Sequence, residues 1–165
     1  MSQKAHVGDV FLVPIDGSRR GIGQIAGDWK GELYVVIFDA VYGDENVDPN
    51  SVVTATPLFA ALSLDAKIHN GDWRIIGNVT ENLDGIPQPV FKVNQDGEVF
   101  LESRDRSATR QASSKEAEAL RLRTVVAPVR LEKALKAHNG VGNWNTRYDD
   151  LRYDYALESS QYVVG

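Results

Sequence analysis

Carboxylates are the reactive groups this chain supplies most freely, with 23 Asp and Glu against 18 Lys and Arg in 165 residues. Two clusters stand out. Asp44, Glu45 and Asp48 lie in the turn-rich stretch Gly43–Pro49, and Asp149 and Asp150, followed by Asp154, lie among Tyr148, Tyr153 and Tyr155. A pair of carboxylates does acid–base chemistry when its surroundings push the two pKa values apart. Acids are also favoured at helix starts by the dipole, and they are too numerous here to be diagnostic of hydrolysis. Beside tyrosines, the same acids suit a protein interface, where tyrosine is enriched and acids mask a basic partner. Asp44, Glu45, Asp48, Tyr148, Asp149, Asp150 and Asp154 are therefore the candidate partner-binding residues.

Other chemistry finds little support. His6, His69 and His138 are far apart in sequence, and no pair has the spacing of metal ligands. No serine sits in a Gly-x-Ser-x-Gly elbow. Gly21-x-Gly23 lacks the third glycine of a dinucleotide fingerprint and the Gly-Lys-Ser/Thr of a phosphate loop, so it reads as a strand bend. The absence of cysteine excludes disulfides, thiolate zinc sites and cysteine nucleophiles, and it suits a reducing cytoplasm. Arg104, Arg106 and Arg110, with Arg121 and Arg123 beyond, form the one basic cluster. No aromatics are interleaved with it as nucleic-acid binding requires, so it reads as a solvated loop. A net charge of −5 repels nucleic acid and anionic lipid and suits a basic partner. Trp29, Trp73 and Trp144 read as core or half-buried anchors.

The elements that must position these residues begin with strands. Val10–Ile15, Arg20–Ala26 and Leu33–Phe38 are apolar runs separated by the turn sequences Asp16-Gly17-Ser18 and Lys30-Gly31-Glu32. The third run is the best candidate for a central buried strand. Leu58–Leu64 fits a strand or a buried helical turn, and Trp73–Gly77 fits a short strand after the turn Asn70-Gly71-Asp72. Two prolines keep Ile86–Pro89 out of regular structure. Val90–Val93 and Glu98–Leu101 form a hairpin around Asn94-Gln95-Asp96-Gly97.

Helices come later. Ser113 or Ser114 caps a helix running to about Leu122. Thr124–Val126 reads as a last short strand. Pro128 opens a helix carrying Leu131, Ala134, Leu135 and His138, with Glu132 paired to Lys136 and Gly140 at its end. Trp144, Tyr148, Leu151 and Tyr155 form one stripe of a final helix, with Thr146 and Asp149 as its capping pair. At 42% hydrophobic and 25% charged residues, with no long apolar run and no signal-peptide h-region, the composition is that of an ordinary globular protein outside the membrane. The expected fold is α+β: a curled, mainly antiparallel β-sheet or partial barrel in the N-terminal two thirds, followed by C-terminal helices. One domain is expected over residues 1–165, with a β-rich core from about 8 to 103 and a helical part from about 112 to 157.

With this strand order in place, the sequence resembles the bacterial immunity protein 26 family of polymorphic toxin systems. The resemblance rests on Gly8-Asp9-Val10-Phe11-Leu12-Val13-Pro14-Ile15, Gly21-Ile22-Gly23-Gln24-Ile25, the apolar strand ending in Phe38-Asp39, Gly71-Asp72-Trp73-Arg74-Ile75-Ile76-Gly77-Asn78, and Pro89-Val90-Phe91. Pro128 to Leu151 resembles the helical tail of longer members. Ile22 stands where many members carry tyrosine, a difference expected to alter a surface contact and to leave the strand intact. The resemblance implies a non-enzymatic, cytoplasmic antidote that binds a cognate toxin domain and needs no cofactor and no metal. The readings set against it are a small hydrolase using surface carboxylates and a regulatory β-barrel binding module.

Overall fold

The computed structural model describes residues 2–44 and 46–165. In chain order the elements are β1 (Asp9–Pro14), β2 (Arg20–Trp29), β3 (Glu32–Tyr42), α1 (Pro49–Val52), β4 (Pro57–Ser63), α2 (Ala66–His69), β5 (Ile75–Asn78), a 3-10 turn at Leu83–Gly85, β6 (Val90–Gln95), β7 (Glu98–Ser103), β8 (Thr109–Gln111), α3 (Ser114–Ala119), α4 (Pro128–His138), a 3-10 turn at Thr146–Leu151, and α5 (Asp154–Ser159). Both sheets are antiparallel and neither closes into a barrel, so the chain is α+β with most of its helix in the C-terminal part. Its contacts divide into two units, residues 1–85 with 125–153, and residues 86–124 with 154–165.

The first unit is built on a five-stranded sheet of order β4-β3-β2-β1-β5. Leu33–Phe38 is buried throughout, because this stretch of β3 is covered on both faces. The middle position of the sheet nevertheless belongs to β2. Register shifts between Gly21 and Gly23, between Ile25 and Gly27, and in β1 between Val10 and Phe11 bend the strands. Gly23 is required by contact: a Cβ there would stand 2.4 Å from the Phe11 ring. The freed space lets Phe11 stack on Trp73, with centroids 5.0 Å apart and planes within 5°. Lys30 and Gly31 both take positive φ, the geometry of the tight turn that joins twisted strands. Ile22 is fully buried, so the expectation that this position alters a surface contact is corrected: its side chain lies in the core.

α4 closes the core of this unit with Leu131, Ala134 and Leu135. Pro128 occupies its first turn, and Asn139 donates its side-chain amide to Leu135 O at the other end, where Gly140 takes φ +85°. Glu132, only 6% exposed, turns inward from this helix. The Trp73 indole donates to its Oε1 at 2.9 Å, and Lys67 and Lys136 each stand 3.6 Å from its Oε2. A second buried polar lock joins Gln24 to Asn82 through reciprocal amide hydrogen bonds of 2.7 and 3.1 Å, with Gln24 also donating to Val79 O at 2.7 Å.

The second unit has a three-stranded sheet of order β6-β7-β8. Asp96 and Gly97, at φ 53° and 83°, make the two-residue turn of its first hairpin. Val90, Leu101 and Leu120 form its small core, flanked by Tyr155, Tyr162 and Val164. The Tyr155 hydroxyl donates to Val90 O at 2.7 Å and accepts from the Arg121 backbone N–H at 3.0 Å.

Four further expectations from sequence need correction. Residues 109–111, read as part of a solvated loop, form β8, and Arg110 there makes a bidentate pair with Glu116 at 2.9 and 2.6 Å. The helix capped by Ser113 stops at Ala119, because Leu120 turns extended and enters the core. Residues 124–126 contribute a single parallel bridge, Val125 to Leu62, and no strand. The stripe Trp144–Tyr155 is not one helix: a 3-10 turn capped by Asn145, and not by Thr146, ends at Leu151. The chain then runs extended at Arg152, which bridges to Phe59, and Tyr153 N donates to Leu58 O. The open edge of β4 takes the backbone groups that a continuing helix needs.

Candidate partner-binding surface

The acidic loop before α1 is built by its own carboxylates. Asp44 accepts from the Asn46 backbone N–H at 2.9 Å, and Asp48 caps α1 by accepting from Asn50 N at 3.1 Å. Both acids remain exposed, while Glu45 lies outside the described residues. Pro49 packs on Gly77, where a Cβ would approach the proline Cγ to 2.6 Å, so the loop is mounted on β5. Asn46, Val47 and Asp48 face Arg74, Ile75 and Ile76 across an open depression of about 570 Å³.

Tyr148, Asp149 and Asp150 all lie on the 3-10 turn at Thr146–Leu151, which packs on β4 and α4. Asp149 and Asp150 are exposed and Tyr148 is half-buried. Around them is a cluster that sequence reasoning recovered only in part. The half-buried Trp144 ring stacks on buried Phe59 at 6.1 Å and meets Tyr148 edge-on at 5.3 Å. The Arg152 guanidinium lies over the same indole, 4.6 Å from its centroid. Trp144 Nε1 donates to Asp149 Oδ1 at 3.1 Å. Beside Phe59, the His138 ring packs edge-on and its Nε2 lies 3.5 Å from Asp39 Oδ1. The helical stripe signalled Trp144 and Tyr148. Nothing in the sequence signals Arg152 over the indole, because the extended backbone at Arg152 sets that contact.

The candidate residues therefore fall into three places. The acidic loop belongs to β5 and the Tyr148–Asp150 turn to β4, opposite edge strands of one sheet. Asp154 opens α5 in the second unit.

The perturbed carboxyls are elsewhere, and all shift downward. The Arg19 guanidinium and the Ser18 backbone N–H hold Asp16 at about 2. The Ser107 hydroxyl and backbone N–H hold Asp105 at about 2. The Arg110 fork and the Ser113 N–H do the same for Glu116, at about 2. Each is a turn or cap carboxylate kept ionised by local donors, opposite in direction to the raised pKa of a general acid. Burial raises the pKa of Tyr153 and, in the second unit, of Tyr155. Among the described residues no three His, Asp or Glu side chains gather as metal ligands, and no helix is long and apolar enough to cross a membrane.

Comparison with known proteins adds one finding. No curated protein and no solved structure gives a significant match. A family model, described as immunity protein 26, matches residues 6–98, which run from before β1 into the first residue of β7. That span is more than half of the chain and contains the whole five-stranded sheet: the chain belongs to the immunity protein 26 family.

Proposed function

We propose that this protein is a cytoplasmic antidote. It binds a cognate bacterial toxin domain and neutralises it by occlusion, with no catalytic step and no cofactor of its own. The observation that carries this reading is membership of the immunity protein 26 family over residues 6–98. The Trp, Tyr and Arg side chains gathered on β4 support a binding surface.

The test is co-expression with the toxin domain encoded beside this gene. Survival that depends on this protein, together with a complex that copurifies, supports the reading. A folded protein that neither rescues nor binds overturns it for that toxin. The proposed contacts are Asp44, Glu45, Asp48, Tyr148, Asp149, Asp150 and Asp154. Charge reversal at the acids slows association and flattens its salt dependence, because rim charges act mainly on the encounter rate. Association rates unchanged by reversal remove that assignment.

A further inference from the structure

We propose that Trp144, Tyr148 and Asp149 form a box that reads an arginine side chain of a protein partner, and that the chain's own Arg152 occupies it in the free protein. The inference rests on the reading of this protein as a binder of another protein, and it names the chemistry of one contact.

The box has the parts that guanidinium recognition requires. A planar cation binds the face of an indole and donates in its plane to a carboxylate. Trp144 supplies the face, Tyr148 stands edge-on beside it at 5.3 Å, and buried Phe59 backs the ring at 6.1 Å. Asp149 supplies the carboxylate, fixed in place by the indole N–H at 3.1 Å. A guanidinium is already seen there: Arg152 lies 4.6 Å from the ring centroid with its Nε 3.4 Å from the same Asp149 oxygen. The chain thus shows which ligand class the box accepts.

Arg152 is loosely held. Its ion pair is long and made once, through Nε, and the two side chains are 42% and 54% exposed. Among the described residues Asp149 Oδ2 accepts no hydrogen bond, so a second donor can be added by a guanidinium approaching from outside. The Arg152 backbone is anchored to Phe59 by its bridge, so its side chain can leave without disturbing the turn. Trp144, Tyr148, Asp149 and Arg152 all lie beyond residues 6–98, the stretch that the family model matches.

The test uses the full-length protein labelled with ¹⁵N and two probes, hexaarginine and hexalysine peptides. The readout is the indole N–H resonance of Trp144, one of three tryptophans, identified by its loss in Trp144→Leu. Hexaarginine shifts this resonance in the wild type, and Arg152→Ala binds it about two- to sixfold tighter, the factor by which a weakly held occupant lowers the open fraction. Hexalysine, with no planar fork, binds more weakly than hexaarginine to both. Asp149→Asn keeps an amide oxygen for the Trp144 indole but removes the charge, and loses the gain made by Arg152→Ala. Binding by Arg152→Ala no tighter than wild type overturns the proposal, as does equal binding of the two peptides, which reports bulk charge. Because the titration contains no toxin, its failure leaves the co-expression result standing, and failure of co-expression leaves the titration standing.

Discussion

Replacing Glu132 tests a buried polar contact that ties α4 to the core of the first unit. The Trp73 side chain is fully enclosed and its one polar hydrogen goes to Glu132 Oε1. In Glu132→Ala that donor loses its acceptor in a dry environment, at a cost of about 1–3 kcal/mol. Lys67 and Lys136 lose their shared anion, but at 24% and 32% exposure their ammonium groups rehydrate, so each contributes no more than about 0–1 kcal/mol. The sum is about 3 kcal/mol, which for a chain of this size lowers the melting temperature by roughly 6–12 °C. Glu132→Gln keeps an oxygen for the indole and loses only the charge, so it costs about 1 kcal/mol. In a double-mutant cycle with Trp73→Phe, the pair couples by about 1–2 kcal/mol. Urea denaturation followed by far-ultraviolet circular dichroism measures the four species of the cycle and Glu132→Gln. A Glu132→Ala midpoint indistinguishable from wild type refutes the reasoning, and Glu132→Gln as damaging as Glu132→Ala shows that the charge, and not the acceptor, is what matters.

Three further outcomes are expected. Gly23→Ala places a methyl 2.4 Å from the Phe11 ring and costs about 3 kcal/mol, the upper part of the overpacking range, read as a lowered urea midpoint. Gln24→Ala strands the Val79 carbonyl and the Asn82 amide, a loss of about 1–3 kcal/mol read as a lowered urea midpoint; adding Asn82→Ala removes the stranded amide but not the stranded carbonyl, so the double variant stays below wild type and the two losses are less than additive. Asp16, Asp105 and Glu116 titrate lower in the folded than in the unfolded chain, so the stability they contribute is complete above their ordinary values of 3.8 and 4.5 and is lost as pH falls towards about 2. Unfolding curves between pH 5 and about pH 2 show that loss, and Ser107→Ala moves the Asp105 carboxyl resonance titration back up towards 3.8.

What the sequence disclosed was whatever local pattern dictates. Val10–Ile15 and Leu33–Phe38 are apolar runs closed by turn residues, and Asp96-Gly97 and Pro128…Gly140 announce a hairpin and a helix by backbone preference alone. β8 was illegible because Thr109–Gln111 is short and polar, held by pairing to β7 and not by any apolar alternation of its own. The break at Arg152 was illegible because the competitor for its backbone, Phe59 on β4, is remote in sequence. For the candidate surface, the acids at positions 44 and 48 were visible as charge, yet their work as turn and cap acceptors appears only once Asn46 and Asn50 are in place. The gathering of Trp144 and Arg152 depends on that same remote edge strand.

The cover over β4 also governs self-association. Its outer backbone is engaged near one end by Val125 and Val126, and near the other by Arg152 and Tyr153. A bare strand there would template pairing between molecules, and Phe59 and Leu62 would make such pairs adhesive. The stretch shared with the family, residues 6–98, contains β4 but neither cover, and it ends as β7 begins, leaving β6 without its hairpin partner. Cut at that boundary, the chain would carry an uncovered β4 and an unpaired β6, two edges of the kind that template pairing between molecules. A truncation at residue 98 is expected to lose soluble protein to aggregation where the full chain does not.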